Sequence, residues 1–394
     1  MKNKARISAF FLCLLVVFSC CFSAFSYEVA EIDGAVSAGI DYYKNVQKEK
    51  YEADINIKGS PFHAMLRAET NMIQQSDYFF MVPVYDISTV GEFTKSDEFA
   101  KAIVISILSG QNPKTAVSGI DMVEKLISMQ GSDGRFMYQN EEGGRDFSLE
   151  GQLWAIIALD LINADYNRAK AINSLFAYKM SVGGFAEEGA DAPSLDLTAT
   201  AIMALSKYTN PKIADIRNQS VNFLKSCYID GVFTPQDSSL PNAVTQSYCI
   251  MALIAAGEAL WNEPYTTAET DPIKYLLSCQ DESGGFWYSE AAKTAGGEGD
   301  HKEAEDFASA VSLCALLDIK NTRSYFLTIG EKFTDTTQVA EEEIPEIIVY
   351  ESNYVWTAAG ILLLVLIAVS LFGLFVSRKG KKHRIKKLKN TLQK

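Results

Sequence analysis

The stretch LLSCQDESGGFWY, residues 276–288, sets a leucine, a glutamine, a glycine and a phenylalanine at a fixed spacing. The run from Leu126 to Phe136 has the same spacing, with Gln130 and Gly134 in register. Two more runs keep the frame with changes: 175–185 has lysine in place of glutamine, and 224–233 is one residue shorter. The phenylalanines of the four copies follow each other at steps of 49, 48 and 53 residues, a period typical of a two-helix repeat.

Each copy is followed by a run rich in small and apolar residues, at 148–159, 195–205, 243–253 and 306–316. The pattern predicts a helix, a tight Gly-x-Phe turn, and a second helix whose alanines allow close packing. Residues 35–47 with 60–69 look like a degenerate copy, and 97–108 like the second helix of another. The sequence therefore predicts six inner helices, starting near Pro61, Asp97, Leu149, Leu195, Val244 and Phe307.

Six helix pairs favour a closed ring. The alternative is an open solenoid, but solenoids tend towards shorter and more uniform repeats. We therefore predict an all-α fold, an α/α toroid over residues 27–330, with small-residue helices inside and longer amphipathic helices outside. His63 lies on the first inner helix and is expected to be a packed or rim residue.

The two ends of the chain read as targeting segments. Residues 1–26 combine a basic start, an apolar run and a small-x-small end, which predicts a cleaved secretory signal. A lipobox-like run ending at Cys20 is the alternative, and the bulky Phe18 counts against it. Residues 354–376 are 23 positions without a charge, about 35 Å as a helix and enough to span a bilayer.

The charge distribution around that span predicts its orientation. The basic tail 377–394 follows it directly, and an acidic stalk, 331–353, precedes it. Because positive charge stays on the cytoplasmic side, we expect a type I single-pass protein of the plasma membrane with an extracellular ectodomain. Membrane attachment through this one C-terminal helix is the first partnership that the sequence predicts.

The predicted ectodomain is strongly acidic. The chain has a formal net charge of −13; residues 1–26 contribute +3 and the tail +9, which leaves −25 for residues 27–353. Such a field disfavours nucleic acid as a partner and tolerates cationic ligands. Four cysteines remain beyond the signal, each in an apolar helical run, and buried thiols are expected rather than disulfides, although pairing stays open: Cys227, Cys249, Cys279 and Cys314.

The Leu-xxx-Gln-xxx-Gly-x-aromatic pattern resembles the QW motif of squalene–hopene and oxidosqualene cyclases. The run from about 35 to 320 is similar to the prenyltransferase and squalene-cyclase repeat family, and 94–126 is especially similar to its secreted bacterial members. The resemblance implies a terpenoid-cyclase-like α/α toroid. Vitamin B12 carriers resemble the same toroid, but they pair it with a β-domain for which this chain leaves no room after residue 330.

The resemblance also points to candidate site residues. Asp196, in the run 194–199, matches the middle acid of the cyclases' DxDD-T-A segment, but the two flanking carboxylates are missing. The alternative for Asp196 is a helix N-terminal residue, since carboxylates are favoured there. The zinc ligands of protein prenyltransferases and the GCGEQ run of thioester toroids are also missing, so no metal and no cofactor are expected.

A binding site is expected at one mouth of the ring. Four loops, 140–147, 186–194, 234–242 and 288–306, each precede an inner helix, so they gather at one end of a toroid unless they are merely solvated connections. The candidate binding residues at the starts of the inner helices are Glu98, Glu150, Asp196 and Asp306. A small-molecule, carbohydrate or protein ligand would bind there.

Two functions remain open from the sequence. The first is a surface-anchored binding or scaffold module without conventional cyclase or prenyltransferase activity. The second is a toroid enzyme, terpene cyclase-like or carbohydrate-active, that uses an inner-helix carboxylate such as Asp196. A central cavity filled by side chains favours the first, and an open aromatic-lined cavity that converges on Asp196 favours the second.

Overall fold

Thirteen α-helices and four two-residue strands make up the part of the chain that the computed structural model describes. The described residues are 30–47, 60–69, 91, 93–140, 142–236, 239–262, 264–267, 271–297 and 302–332, all within one compact unit. The helices are α1 (30–42, continued by a π-helical turn, Tyr43–Gln47), α2 (Pro61–Glu69), α3 (Ser96–Leu108), α4 (Met122–Ser128), α5 (Leu149–Leu161), α6 (Arg168–Leu175), α7 (Leu195–Leu205), α8 (Pro211–Ser226), α9 (Ala243–Ala255), α10 (Pro272–Cys279), α11 (Glu290–Ala295), α12 (Asp306–Asn321) and α13 (Tyr325–Lys332). The strands pair as two antiparallel hairpins, β1 (Tyr138–Gln139) with β2 (Arg145–Asp146) and β3 (Tyr228–Ile229) with β4 (Val232–Phe233).

Six helices form a closed inner ring. Each packs against the next in the order α2, α3, α5, α7, α9 and α12, and α12 packs against α2 again. The predicted α/α toroid is therefore confirmed, and the open solenoid is excluded. All six helices begin within one residue of the position that the sequence predicts.

Small residues bring the inner helices together. A Cβ atom on Gly151 of α5 would lie 2.4 Å from the Oγ atom of Ser96 on α3. On the opposite side of the ring, Ser247 of α9 and Ser312 of α12 approach to 3.3 Å between their Oγ atoms. Larger residues at these positions would push the inner helices apart, so the small residues set the ring's diameter.

In the two copies that keep both motif residues, the glutamine and the glycine join the turn to the outer helix of the following pair. Gln280 Nε2 donates to the carbonyl of Ala35 on α1 at 2.8 Å, as Gln130 Nε2 donates to Asn167 at the start of α6 at 3.0 Å. Gly284 has φ +89°, and a Cβ atom there would lie 2.0 Å from the carbonyl oxygen of Ala38 on α1. The last motif thus docks on the first outer helix and closes the outer ring.

The repeated phenylalanine is held by its backbone. Phe136 is fully buried, and its N–H donates to Oε1 of Gln152, the fourth residue of the following inner helix, at 2.8 Å. A polar side chain at the same helix position accepts this bond in the other three copies: Thr198 from Phe185, Gln246 from Phe233 and Ser309 from Phe286. Each Gly-x-Phe turn is therefore tied to its own inner helix as well as to the next outer helix.

Two helices differ from the sequence prediction. The predicted loop 288–306 contains α11, which Ser289 Oγ caps at Ala292 N and which ends at Gly296 in the left-handed region. After α12 the chain reverses and forms α13, which packs against α5. Tyr325 N at the start of α13 donates to Oδ1 of Asp318 at 2.9 Å, so a side chain of α12 caps the helix that follows it.

The thiols of all four described cysteines are unpaired and buried, as the apolar context of each predicts. Within the described ranges, no helix has both the length and the apolar character that crossing a bilayer requires. The predicted signal 1–26, most of the stalk 331–353, the predicted span 354–376 and the tail 377–394 lie outside the described residues.

Candidate functional site

The mouth at the N-terminal ends of the inner helices has an acidic half and an apolar half. On three successive helices, α3, α5 and α7, the second residue is a carboxylate: Asp97, Glu150 and Asp196. On the other three, α9, α12 and α2, the second residue is apolar: Val244, Phe307 and Phe62. One entrance to the ring is therefore amphipathic.

An ion-paired triad lies in the acidic half. Lys101 Nζ is 3.1 Å from Asp97 Oδ2 and 2.7 Å from Glu150 Oε1, and it lies 6.0 Å from the centre of the Trp154 ring. Burial lowers the pKa of Lys101, but the charges of Glu150 and Asp97 outweigh it, so the net pKa is raised. Lys101 therefore remains an ammonium, and it neutralises part of the acidic half.

Asp196 lies in the first turn of α7, between Leu195 and Leu197. Ser194 caps this helix, its Oγ atom accepting from Leu197 N at 3.3 Å, and a carboxylate is favoured at such an N-terminus. Burial raises the pKa of Tyr248 on α9 and of Tyr288 at the start of the loop 288–306, and the charge of Asp196 raises both further. The helix that carries Asp196, α7, packs against α9, which carries Tyr248.

Asp306 and His63 connect the last and the first inner helices. His63 Nε2 lies 3.0 Å from Asp306 Oδ1, and His63 Nδ1 accepts from the backbone N–H of Ser60 at 3.0 Å. Because Nδ1 is an acceptor, Nε2 carries the proton and donates to Asp306. The expected packed or rim histidine is a buried residue that spans the closure of the ring.

Glu98 is a capping residue. Its Oε2 atom accepts from the backbone N–H groups of Thr94 and Lys95, both at 2.9 Å, which stabilises the start of α3. The neighbouring Asp97 is the residue of this helix that reaches Lys101. Glu187, which the sequence did not single out, accepts from Leu149 N at 3.0 Å and so caps α5 from the next loop.

Hydrogen bonds connect the four loops to neighbouring repeats at this end of the ring. Glu187 belongs to the loop 186–194 and bonds the helix that follows the loop 140–147. Ala243 N, after the loop 234–242, donates to the carbonyl of Tyr288 in the loop 288–306 at 2.7 Å. The expected gathering of these loops at one mouth is thereby observed.

A cluster of aromatic rings lies inside the ring of helices, below the mouth. Phe62 packs edge-on against four other rings, with centroid separations of 5.2 Å to Tyr248, 5.9 Å to Phe307, and 6.1 Å to both Trp154 and Phe326. Phe326 comes from α13, which enters the ring from the far end. Phe307 is 39% exposed, so this cluster runs from the buried centre to the mouth.

Several of these residues were missed in the sequence. Lys101, Trp154 and Tyr248 all occupy the sixth position of an inner helix, one turn below the second position that defines the mouth. This shared position is the sequence signal that identifies them. Within the described ranges, no three His, Cys, Asp or Glu side chains are grouped so as to hold a metal ion.

Several solved structures align with this chain at low sequence identity. The type II terpene cyclase MstE from Scytonema aligns with a TM-score of 0.51 and 12% identity, over 75% of this chain and 99% of that chain. The unsaturated glucuronyl hydrolase from Bacillus sp. GL1 aligns with a TM-score of 0.51 and 12% identity, over 76% and 98%. The Candida albicans protein geranylgeranyltransferase-I aligns at 17% identity with a TM-score of 0.41, over 56% of this chain and 66%, just under two thirds, of its own.

The sequence comparison identifies the family. A search of curated proteins gives no significant match. The profile of the prenyltransferase alpha-alpha toroid domain matches residues 145–299 and 210–354, which together cover more than half of the chain. The closed double ring of helices agrees with that match. The chain belongs to the prenyltransferase alpha-alpha toroid domain family.

Proposed function

We propose that this protein is a membrane-anchored toroid that binds a ligand at the amphipathic mouth of its ring, without terpene-cyclase or prenyltransferase activity. The observation that carries the proposal is the cluster of aromatic side chains around Phe62 inside the ring, which occupies space that a reaction chamber would need. Phe62 contacts Trp154, Tyr248 and Phe326 at 5.2–6.1 Å between ring centroids, which is packing contact. A reaction chamber for a small molecule needs about 300 Å³ or more.

The acid at the matched cyclase position supports the same proposal. Protonation of an alkene or epoxide requires a carboxylic acid kept strongly acidic by its surroundings. Asp196 stands between two leucines in the first turn of α7, with neither of the flanking carboxylates of the cyclase motif. Its place in the first turn of an inner helix suits binding at the mouth rather than proton donation into the interior.

The surface anchor rests on the two ends of the sequence. The uncharged run 354–376, the basic tail after it and the signal-like start support an exported toroid on a short stalk. Protease added to intact cells is then expected to remove the ectodomain and to spare the tail. A fully protected ectodomain would contradict the orientation.

Turnover assays test the absence of catalysis. The full chain in detergent micelles is incubated with squalene and with geranylgeranyl diphosphate, and the products are separated by mass spectrometry. We expect no product above the rate seen without protein, for the native chain and for Asp196→Asn alike. Product formation that disappears in a correctly folded Asp196→Asn variant would overturn the proposal.

A carbohydrate-active enzyme is the second candidate, and one distance favours it. Lys101 Nζ contacts Asp97 Oδ2 at 3.1 Å and Glu150 Oε1 at 2.7 Å, so these two oxygens lie no more than 5.8 Å apart. Carboxyl groups of retaining glycosidases are about 5–5.5 Å apart. One of the aligned structures is a glucuronyl hydrolase, and this likeness supports a shared fold only.

Lys101 counts against that second candidate, because a glycosidase directs both carboxyl groups at the substrate. Hydrolysis of an unsaturated glucuronyl oligosaccharide decides between the two. We expect none. Hydrolysis that Glu150→Gln abolishes and that the helix-cap variant Glu98→Gln retains would establish the enzyme.

A further inference from the structure

The mouth of the ring already holds one ammonium group of the chain itself. Lys101 Nζ lies between two carboxylates and 6.0 Å from the centre of the Trp154 ring. A cation is stabilised in such a place by ion pairing and by the negative face of the aromatic ring. The acidic half of the mouth therefore already stabilises an ammonium group with carboxylates and an aromatic ring.

The same combination recurs where the acidic half meets the apolar half. Asp196 is the last carboxylate of the acidic half, and the next helix of the ring supplies Tyr248. The Tyr248 ring packs at 5.2 Å against Phe62, which also packs at 5.9 Å against Phe307. Three aromatic rings on α2, α9 and α12 thus form one continuous wall, and the carboxylate lies on α7, which packs against α9.

Exposure makes this wall accessible from outside. Phe307 is 39% exposed although it lies in the first turn of an inner helix, and Tyr248 is half-buried. Phe62 is 1% exposed and forms the floor. Phe307 and Tyr248 are therefore the parts of the wall that a group entering from the mouth can contact, and Asp196 lies on α7, the inner helix that packs against α9.

From this arrangement we infer that the mouth recognises an organic ammonium group attached to an apolar body, held between Asp196 and the wall formed by Phe307, Tyr248 and Phe62. The inference rests on the proposed binding function and names its ligand class. The net charge of −25 on residues 27–353 favours the approach of cations and disfavours anionic ligands. The ammonium can belong to a free amine or to a lysine side chain of a peptide.

Binding of a model amine tests the inference. The full chain in detergent micelles is titrated with 2-phenylethylammonium, and with 2-phenylethanol and ethylammonium as controls that lack the charge or the ring. We expect saturable binding of 2-phenylethylammonium, at least tenfold tighter than binding of either control, and weaker at high salt. An acetylated Phe-Lys amide, compared with the free amine, distinguishes a peptide ligand from a small one.

Variants assign the site. Asp196→Asn and Phe307→Ala are each expected to weaken binding of 2-phenylethylammonium about tenfold, whereas Tyr248→Phe, which keeps the ring, leaves it within about twofold. Asp215→Asn, an exposed carboxylate on the outer helix α8, is the matched control and is expected to bind normally. Equal affinity for amine and alcohol, no binding of the amine, or no effect of Asp196→Asn would each overturn the inference.

These outcomes are separable from the proposed function. Turnover of squalene or geranylgeranyl diphosphate would overturn the non-catalytic proposal whatever the amine does. Failure of the amine to bind, without turnover, would remove the ligand class and leave the anchored, non-catalytic toroid standing.

Discussion

His63 Nε2 donates to Asp306 Oδ1 at 3.0 Å, and the two residues are 243 positions apart. This hydrogen bond joins the first inner helix to the last. His63 is 1% exposed, and its other nitrogen accepts from Ser60 N at 3.0 Å, which fixes the tautomer. The closure of the ring is therefore held by a specific polar contact in addition to packing.

Removing this contact is expected to destabilise the ring. His63→Ala leaves a cavity and takes a buried donor away, and we expect it to lower the free energy of unfolding by about 2–4 kcal/mol. Asp306→Asn keeps an oxygen that accepts from Nε2–H, so a loss below about 1 kcal/mol is expected. Urea unfolding of the full chain in micelles measures both. Equal losses would show that His63 does not donate in the way described.

The motif glycines are expected to differ sharply from other glycines with positive φ. Gly134 has φ +92°, and a Cβ atom there would lie 2.3 Å from the backbone of Lys170; Gly189 has φ +83° and open space around it. Gly189→Ala therefore costs only the left-handed strain, about 1–2 kcal/mol. Gly134→Ala must also separate two repeats, and we expect at least about 3 kcal/mol or failure to fold. Similar melting temperatures for the two variants would contradict the close approach.

Phe326 is expected to carry more stability than Phe307, although both contact Phe62. Phe326 is 4% exposed at the centre of the ring, so Phe326→Ala leaves a cavity and costs about 3–5 kcal/mol. Phe307 is 39% exposed, and Phe307→Ala is expected to cost about 1 kcal/mol. Thermal unfolding of the two variants compares them. Equal, small losses of stability in the two variants would mean that Phe326 of α13 does not pack inside the ring.

Asp318 makes stability depend on pH. It is fully buried, and burial and then the charge of Glu69 raise its pKa well above the usual range, which the Tyr325 N–H and Arg323 only partly oppose. The folded state therefore keeps a proton that the unfolded state releases above about pH 4. The free energy of unfolding falls as pH rises from there towards the raised pKa of Asp318 in the folded state.

The pH dependence of the Asp318→Asn variant tests this arrangement. Because asparagine cannot ionise and still accepts from Tyr325 N, we expect the variant to melt higher than the native chain at about pH 7–8 and close to it at about pH 4. Melting temperatures of both proteins across that range provide the measurement. A variant that is destabilised at every pH would show that Asp318 is buried as a carboxylate.

The periodicity of the sequence predicted most of the fold, because every repeat packs against its neighbours in the same way. The spacing of Leu126, Gln130, Gly134 and Phe136 predicted the turn, and the small-residue runs predicted the inner helices. The sequence did not predict α13, since nothing in its composition marks a helix that turns back into a ring. Phe326 contacts Phe62 because the chain reverses after α12. Asp318 of α12 stabilises this reversal by capping α13 at Tyr325 N.

The site was only partly predictable for a related reason. The sequence marks where each inner helix begins, so it places Asp196, Glu150 and Asp306 in first turns. Which acid bonds which partner depends on rotation about the helix axis. Asp97 rather than Glu98 reaches Lys101, a difference of one residue and about 100° around α3. Lys101 and Tyr248 lie one turn further along their helices, where only the shared sixth position marks them.

Closure of the ring is tested most directly by zero-length cross-linking. Lys320 Nζ on α12 lies 2.5 Å from Asp33 Oδ1 on α1, and both side chains are partly exposed. Carbodiimide converts such an ion pair into an amide without a spacer, and mass spectrometry of a digest identifies the joined peptides. Mixed isotope-labelled chains separate links within one chain from links between chains. We expect an intramolecular Lys320–Asp33 link that Asp33→Asn abolishes; its absence from the folded native chain, with other ion pairs linked, would contradict the closed toroid.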